Sequence, residues 1–353
     1  IHKSPRDANA GMTLLDRALS EEHYDVLDRA DDFVEETLAP RTDEIEASRE
    51  FPRDVVEAAG DAGLLGILVP EAYGGLGGDF VSYCLALERV AAESAAVAET
   101  IQGHTFATLP VLNFGTDAQK DRLLPKMVSG ESVGAMLLTE PGAGSSPTEL
   151  GTVAEATDDG YLLSGEKSFG TNAGVADVHL VVARKRPQPD DSHGVSVFLV
   201  PNPDDVEGFT FERGEYLGMH GHVTGDSTFE DVEIDADALL GSIGQGFRIA
   251  MGTIDMARTG LGAIGCGIGR AAFDEAVDYA GDREQGGKPV GEYQAVQVLV
   301  ADMDSRLESA RSLVYDSAVR IADGEGDTRA SSRAKFTASD AAEFCARNAM
   351  QIY

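Results

Sequence analysis

Residues 152–172 read TVAEATDDGYLLSGEKSFGTN, and the period of this stretch decides the architecture. Its apolar positions come in short runs rich in β-branched and aromatic residues, and Asp158-Asp159-Gly160 supplies the tight turn of a hairpin. Working outward, VGAMLLTE (133–140), HLVVARK (179–185), GVSVFLV (194–200), FTFER (209–213) and STFEDVEI (227–234) have the same character. No helical pattern intervenes between them. That spacing predicts a small antiparallel β domain over residues 131–240 and argues against a parallel nucleotide-binding sheet.

On either side the period becomes helical. In SEEHYDVLDRADDFVEETLAP (20–40), Ser20 is placed to cap a helix with acidic residues in its first turn. Tyr24, Leu27, Phe33, Val34 and Leu38 fall on one face, and Pro40 is expected to stop the run. Pro52 suits the first turn of a following helix. Beyond residue 240, Phe247, Met251, Ile254, Leu261, Ile264 and Ile268 recur at helical steps. The expected fold class is α+β and multidomain: an N-terminal helical domain (1–130), a middle antiparallel β domain (131–240) and a C-terminal helical bundle (241–353). A chain of 353 residues with 42% hydrophobic content has enough apolar surface for such cores.

Composition excludes several classes of function. The chain carries 61 acidic against 28 basic residues, a net charge of −33, so it lacks the basic surface that neutralises phosphates and no nucleic-acid partner is expected. A folded protein adapted to concentrated salt accounts for this balance, because salt screens carboxylate repulsion. No run approaches 18 apolar residues, and IHKSPRDANAG at the start has no apolar stretch behind its basic residues, so neither membrane insertion nor a signal peptide is expected. The expected location is cytoplasmic. Cys84, Cys266 and Cys345 are far apart and in no ligand spacing, and read as reduced, buried residues.

Some motifs fail their own context. GLGAIG (260–265) matches the dinucleotide fingerprint but follows a helix-periodic segment, so its glycines read as close helix-packing positions. His220-Gly-His222 lacks a third ligand, so no metal is expected, and His104 sits in an apolar stretch as a core histidine. Two loops of the β region are different. TEPGAGSS (139–146) offers Thr139, Ser145, Ser146 and backbone amides freed by small residues; KSFGTN (167–172) places Phe169 two residues before Thr171, on one face of a regular strand. A ring and a hydroxyl side by side suit a planar ligand such as an isoalloxazine.

Together these segments resemble the acyl-CoA dehydrogenase family. LLTEPGAGSS (137–146) looks like its first flavin-binding signature, GEKSFGTNAGVAD (165–177) like its second, and GMHGHVTGDSTFEDVEI (218–234) like the strands that follow. GQGFRIAMG through GEYQAVQ (244–297) looks like its long helix, arginine turn and Gln-containing helix. The resemblance implies an FAD-dependent enzyme that converts an acyl-CoA thioester to the trans-2-enoyl-CoA in fatty acid β-oxidation. It also implies electron transfer to an electron-transferring flavoprotein and a homotetramer built as a dimer of dimers. By matching positions, it puts FAD against Met136, Leu137, Leu138, Thr139, Gly144 and Ser145, with Phe169 beside the ring and Thr171 bonding its N5. Arg283 and Gln294 match residues that reach FAD across a subunit interface, and Ser145, Asp255 and Arg258 match positions that contact acyl-CoA.

The departures concern the base. Most members carry a catalytic glutamate near the C-terminus, which here is expected beyond Tyr353, in a segment absent from the sequence. A minority place it immediately before the arginine matching Arg258, where this chain has Ala257. Ser146 replaces the usual aspartate, Phe169 the tryptophan, and Gly170 an apolar residue. Alternatives left open are an oxidase-type flavoenzyme and a non-catalytic flavin- or acyl-CoA-binding scaffold.

Overall fold

The computed structural model describes residues 19–145, 149–186, 194–201, 203 and 206–353. Helix α1 (Glu21–Phe33) starts as the sequence predicts: the Ser20 hydroxyl accepts from the His23 amide, and His23 Nδ1 accepts from the Ser20 amide, so two otherwise orphaned donors are satisfied. Its buried residues are Val26, Ala30 and Phe33, whereas Tyr24 is 41% exposed and does not belong to the core face. Pro40 does not stop the run. The chain widens into a π segment at Val34–Leu38, tightens into a 3₁₀ turn at Ala39–Arg41 and continues as α2 (Thr42–Ser48). The wider and tighter turns absorb the missing amide of proline, and the actual end is Arg49 at φ 58°.

Helices α3 (Arg53–Asp61), α4 (Phe80–Glu93), α5 (Ala95–Phe114) and α6 (Asp117–Ser129) complete the first region. Helix α5 is buried around most of its circumference, including Gln102, Gly103 and His104. It therefore shows little amphipathic period in the sequence. His104 is a core histidine: Nδ1 accepts from the Gly134 amide, Nε2 meets Thr108 Oγ1, and burial pulls its pKa down to about 4.

The sheet comprises β1 (Gly134–Leu137), β2 (Val153–Ala156), β3 (Gly160–Thr171), β4 (Val178–Arg186), β5 (Val195–Pro201), β6 (Phe209–Arg213), β7 (Thr224–Asp235) and the short β8 (Leu239–Leu240). Among the described residues its order is β6-β7-β3-β2-β4-β5-β8, with β1 paired to β4. Thr157 and Gly160 close the β2–β3 hairpin by two hydrogen bonds. Most pairings are antiparallel, as expected, but β1 and β2 both run parallel to β4. The long β3 carries the chain back after β2, so β4 re-enters in the direction of β1.

The C-terminal region is α7 (Gly246–Asp282), a two-stranded hairpin β9 (Glu284–Gln285) and β10 (Lys288–Pro289), then α8 (Gln294–Ala322) and α9 (Thr328–Ile352). The GLGAIG stretch lies inside α7. A Cβ on Gly260 would meet Gln102 Oε1 at 2.1 Å, and one on Gly262 would meet Val314 at 2.8 Å. These glycines serve helix packing. Cys84, Cys266 and Cys345 are buried and unpaired.

Candidate active site

Where the sheet faces the C-terminal helices there is a cavity of about 610 Å³. One wall is the end of β3 and its neighbour β7, with Phe169, Thr171 and Thr224; the opposite wall is α7, with Leu261, Ile264 and Ile268. The helical period read from the sequence thus marks residues that face this cavity as well as core. Ser339 and Lys335 of α9, Glu99 of α5, and Tyr216, Met219 and His222 from the loop before β7 also line it. Burial lowers the His222 pKa to about 4, so its ring is neutral near pH 7, and its buried Nδ1 has no hydrogen-bond partner.

Phe169 and Thr171 do share this cavity, though not by simple strand alternation. The β3–β7 register shifts between Lys167 and Gly170, and Phe169 takes φ 57°. The bulge turns the Phe169 ring outward, leaving it 69% exposed, while the next residue is held inward. Gly170 is required there, because a Cβ would lie 2.7 Å from Leu137 and 2.8 Å from Ala173. Behind Thr171, a Cβ on Gly103 would lie 2.1 Å from Thr171 Cγ2, and Asn172 donates to the Thr100 carbonyl at 3.0 Å. Helix α5 therefore buttresses the strand end directly.

The loop that follows β1 is fixed by residues that the sequence reading passed over. Lys167 Nζ donates to Glu140 Oε1 at 2.7 Å and to the Leu138 carbonyl at 3.1 Å. Glu140 also accepts from the amides of Gly151 and Thr152 and from the Thr152 hydroxyl. Ser168 donates its amide to the Thr139 carbonyl at 2.8 Å. Burial pulls the Lys167 ammonium down to about 8, while the hydrogen bonds to Glu140 outweigh its own burial and hold it below its usual value. A lysine and a glutamate 27 positions apart give no local signal in a sequence.

The other residues singled out are dispersed. Met136, Leu138 and Thr139 are half-buried, whereas the Leu137 side chain points into the core. Gly144 and Ser145 are exposed; Ser146 lies outside the described residues. Asp255 and Arg258 on α7 form an ion pair at 2.5 Å, and Thr328 donates to the other oxygen of Asp255. Arg283, at the end of α7, and Gln294, at the start of α8, are exposed on either side of the β9–β10 hairpin and do not line the cavity. Ala257 is buried and supplies no carboxylate. Among the described residues no cluster of three His, Cys, Asp or Glu is arranged to hold a metal.

Three family models match in order: acyl-CoA dehydrogenase N-terminal domain over residues 20–131, middle domain over 135–232 and C-terminal domain over 244–353. An acyl-CoA dehydrogenase of Bacillus subtilis is 41% identical over 324 residues, covering 91% of this chain and 85% of the relative. This chain belongs to the acyl-CoA dehydrogenase family. The solved structure of butyryl-CoA dehydrogenase from Megasphaera elsdenii superposes with a TM-score of 0.89 at 37% identity, covering 95% of this chain and 88% of that one. A glutaryl-CoA dehydrogenase from Mycobacterium smegmatis in complex with FADH2 gives 0.88 at 26% identity, covering 96% and 85%.

The protein is accordingly an acyl-CoA dehydrogenase-type oxidoreductase with FAD as its cofactor. Its residues fit that group. The exposed Phe169 ring and the Thr171 hydroxyl line one cavity with α7, the same cavity holds the unpartnered His222 Nδ1, and backbone at Gly142 and Gly144 is open enough that a Cβ would meet nothing within 4 Å. Among the described residues no helix is long and apolar enough to cross a membrane.

Proposed function

We propose that this acyl-CoA dehydrogenase oxidises an acyl-CoA thioester to the trans-2-enoyl-CoA within the cavity bounded by Phe169, Thr171 and α7. The supporting observation is the cavity itself, which sets an aromatic and hydroxyl wall opposite the apolar face Leu261, Ile264 and Ile268. Met136 to Thr139, Gly144 and Ser145 would hold the cofactor by backbone and hydroxyl contacts, with Phe169 against the ring and Thr171 hydrogen-bonded to it. When bound, FAD supplies the acceptor for the hydride that leaves the β-carbon.

The chain's own contribution is placement and exclusion of water. Leu261, Ile264 and Ile268 desolvate the acyl chain, and a water-poor site strengthens every hydrogen bond to the thioester carbonyl that acidifies the α-proton. Removal of that proton needs a carboxylate, which position 257 does not offer. Asp255, Arg258 and Ser145 are assigned to the CoA portion. Arg283 and Gln294 are assigned to FAD of a second copy in a homotetramer built as a dimer of dimers. An electron-transferring flavoprotein is the proposed acceptor in β-oxidation, in a cytoplasm of high salt.

Anaerobic absorption spectra test the reading. Butyryl-CoA added to the flavin-loaded protein should bleach the visible flavin bands, with crotonyl-CoA as product, and an electron-transferring flavoprotein should restore them. Bands that persist with short, medium and long acyl-CoAs would overturn it.

A further inference from the structure

One feature of the cavity does not suit a plain fatty acyl chain. Glu99 of α5 is the one carboxyl among the described residues that line it, in company with the apolar Leu261, Ile264 and Ile268. It lies four residues, about 6 Å along the helix axis, before Gly103, the residue that backs Thr171. Glu99 and Thr171 thus line the same cavity at positions offset along the axis of α5.

Glu99 is also under-satisfied. Among the described residues its hydrogen bond is from Gln102 Nε2, at a long 3.4 Å. Gln102 cannot turn to do more, since its Oε1 is buried, unpartnered and packed against Gly260, where a Cβ would meet it at 2.1 Å. Lys335 lines the same cavity but is exposed and forms no ion pair with Glu99. A carboxyl group has room for about four hydrogen bonds, so Glu99 has spare accepting capacity in a cavity that it lines. Burial has already pushed its pKa up to about 7. An alkyl chain filling the space would remove the remaining water and replace it with nothing, whereas a chain with a donor at that depth would replace the lost water.

We propose that Glu99 selects the acyl group by accepting a hydrogen bond from a hydroxyl carried a few carbons beyond the reacting pair, and by disfavouring an alkyl chain of equal length. This rests on the dehydrogenase reading above. Glu99 is a specificity residue in this assignment, and turnover still depends on a separate base.

The test is the rate of anaerobic flavin bleaching by the full-length holoenzyme with two isosteric thioesters, hexanoyl-CoA and 5-hydroxypentanoyl-CoA. The hydroxylated thioester should show a kcat/KM about tenfold higher, the factor expected for one buried polar group left unpaired, and mainly through KM. Glu99→Leu should reverse the preference, and Glu99→Gln, which keeps an accepting oxygen, should fall between. A ratio that is the same in the wild type and both variants would overturn the proposal. So would loss of bleaching by both thioesters in both folded variants, since that would mark Glu99 as the base. If the wild type is bleached by neither thioester, nor by any straight-chain acyl-CoA, the dehydrogenase reading itself fails and takes this assignment with it.

Discussion

Lys167 Nζ lies 2.7 Å from Glu140 Oε1 with the lysine side chain 0% and the glutamate 8% exposed, so a fully formed ion pair ties β3 to the loop after β1. Those two segments carry Phe169, Thr171, Thr139 and Ser145. The pair works as a staple beneath the proposed flavin wall and does not itself line the cavity.

Removing one partner should therefore be severe. Lys167→Met leaves a buried carboxylate whose remaining donors are backbone amides and one hydroxyl, and the expected loss is about 3–5 kcal/mol. The double variant Lys167→Met, Glu140→Leu should recover part of that loss, because no unpaired charge remains. Urea unfolding measures both, and equal stability of the single and double variants would show that the pair is not coupled.

Acid should act in a defined order. The buried His104, His179 and His222 have pKa values lowered to about 4 from 6.5, so their contribution is present above pH 6.5 and drains as pH falls towards 4. Glu140, held below 4.5 by its donors, contributes stability that persists lower and is lost only as pH drops through its folded value. Glu99 has the opposite sign: its raised value favours folding at low pH, and that benefit fades between 4.5 and about 7. Stability profiles should then show Glu99→Gln flattening the curve on the neutral side and Glu140→Gln flattening it on the acid side. Interchanged effects would contradict these assignments.

Gly103 offers a test of the buttress. Gly103→Ala drives a methyl to 2.1 Å from Thr171 Cγ2, so α5 and β3 must separate or Thr171 must turn away. The expected cost is about 1–3 kcal/mol in stability together with weaker flavin binding, read as a higher Kd in fluorescence titration. Unchanged Kd would detach Thr171 from the cofactor.

Phe169 separates function from stability. Its φ of 57° is strained for a residue with a Cβ, at roughly 1–2 kcal/mol, and its ring is largely exposed. Phe169→Gly should leave the apoprotein as stable or more stable while flavin affinity falls several-fold. A variant that loses stability without losing flavin would refute a cofactor role for the ring.

The sequence was most legible where one residue type answers to one local rule. Ser20 capping α1, Gly160 closing the β2–β3 hairpin, and the Leu261, Ile264 and Ile268 steps of α7 all follow from neighbours within a few positions. Pro40 misled, because a π turn followed by a 3₁₀ turn bypasses the missing amide without ending the helical run. The parallel pairing of β1 and β2 with β4 depends on where the chain returns after β3, which periodicity does not encode. Lys167, Glu140 and Glu99 escaped for a related reason: each gains its meaning from a partner or a wall supplied by a distant element. Thr139 and Ser145 stand out as hydroxyls in a loop of small residues, but their roles towards flavin and CoA come only through the family resemblance, since short polar residues in a glycine-rich loop have many other uses.

Helix α1 concentrates the consequence of the net charge. Its outer face exposes Glu21, Asp25, Asp28, Asp32 and, just beyond its end, Glu36, at successive steps of three or four residues opposite the buried Val26, Ala30 and Phe33. Like charges at that spacing each cost about 0.2–0.5 kcal/mol in weakly screened solution. Screening falls to about 3 Å at 1 M salt and removes most of that repulsion. Raising KCl from about 0.1 M to about 2 M, well past that screening limit, should increase the urea midpoint, and amide exchange should show α1 opening first at low salt. Asp25→Lys with Asp32→Lys should reduce the salt dependence by turning repulsive neighbours into attractive ones. A midpoint independent of KCl would mean that the carboxylates are tolerated without salt, and the proposed adaptation would fall.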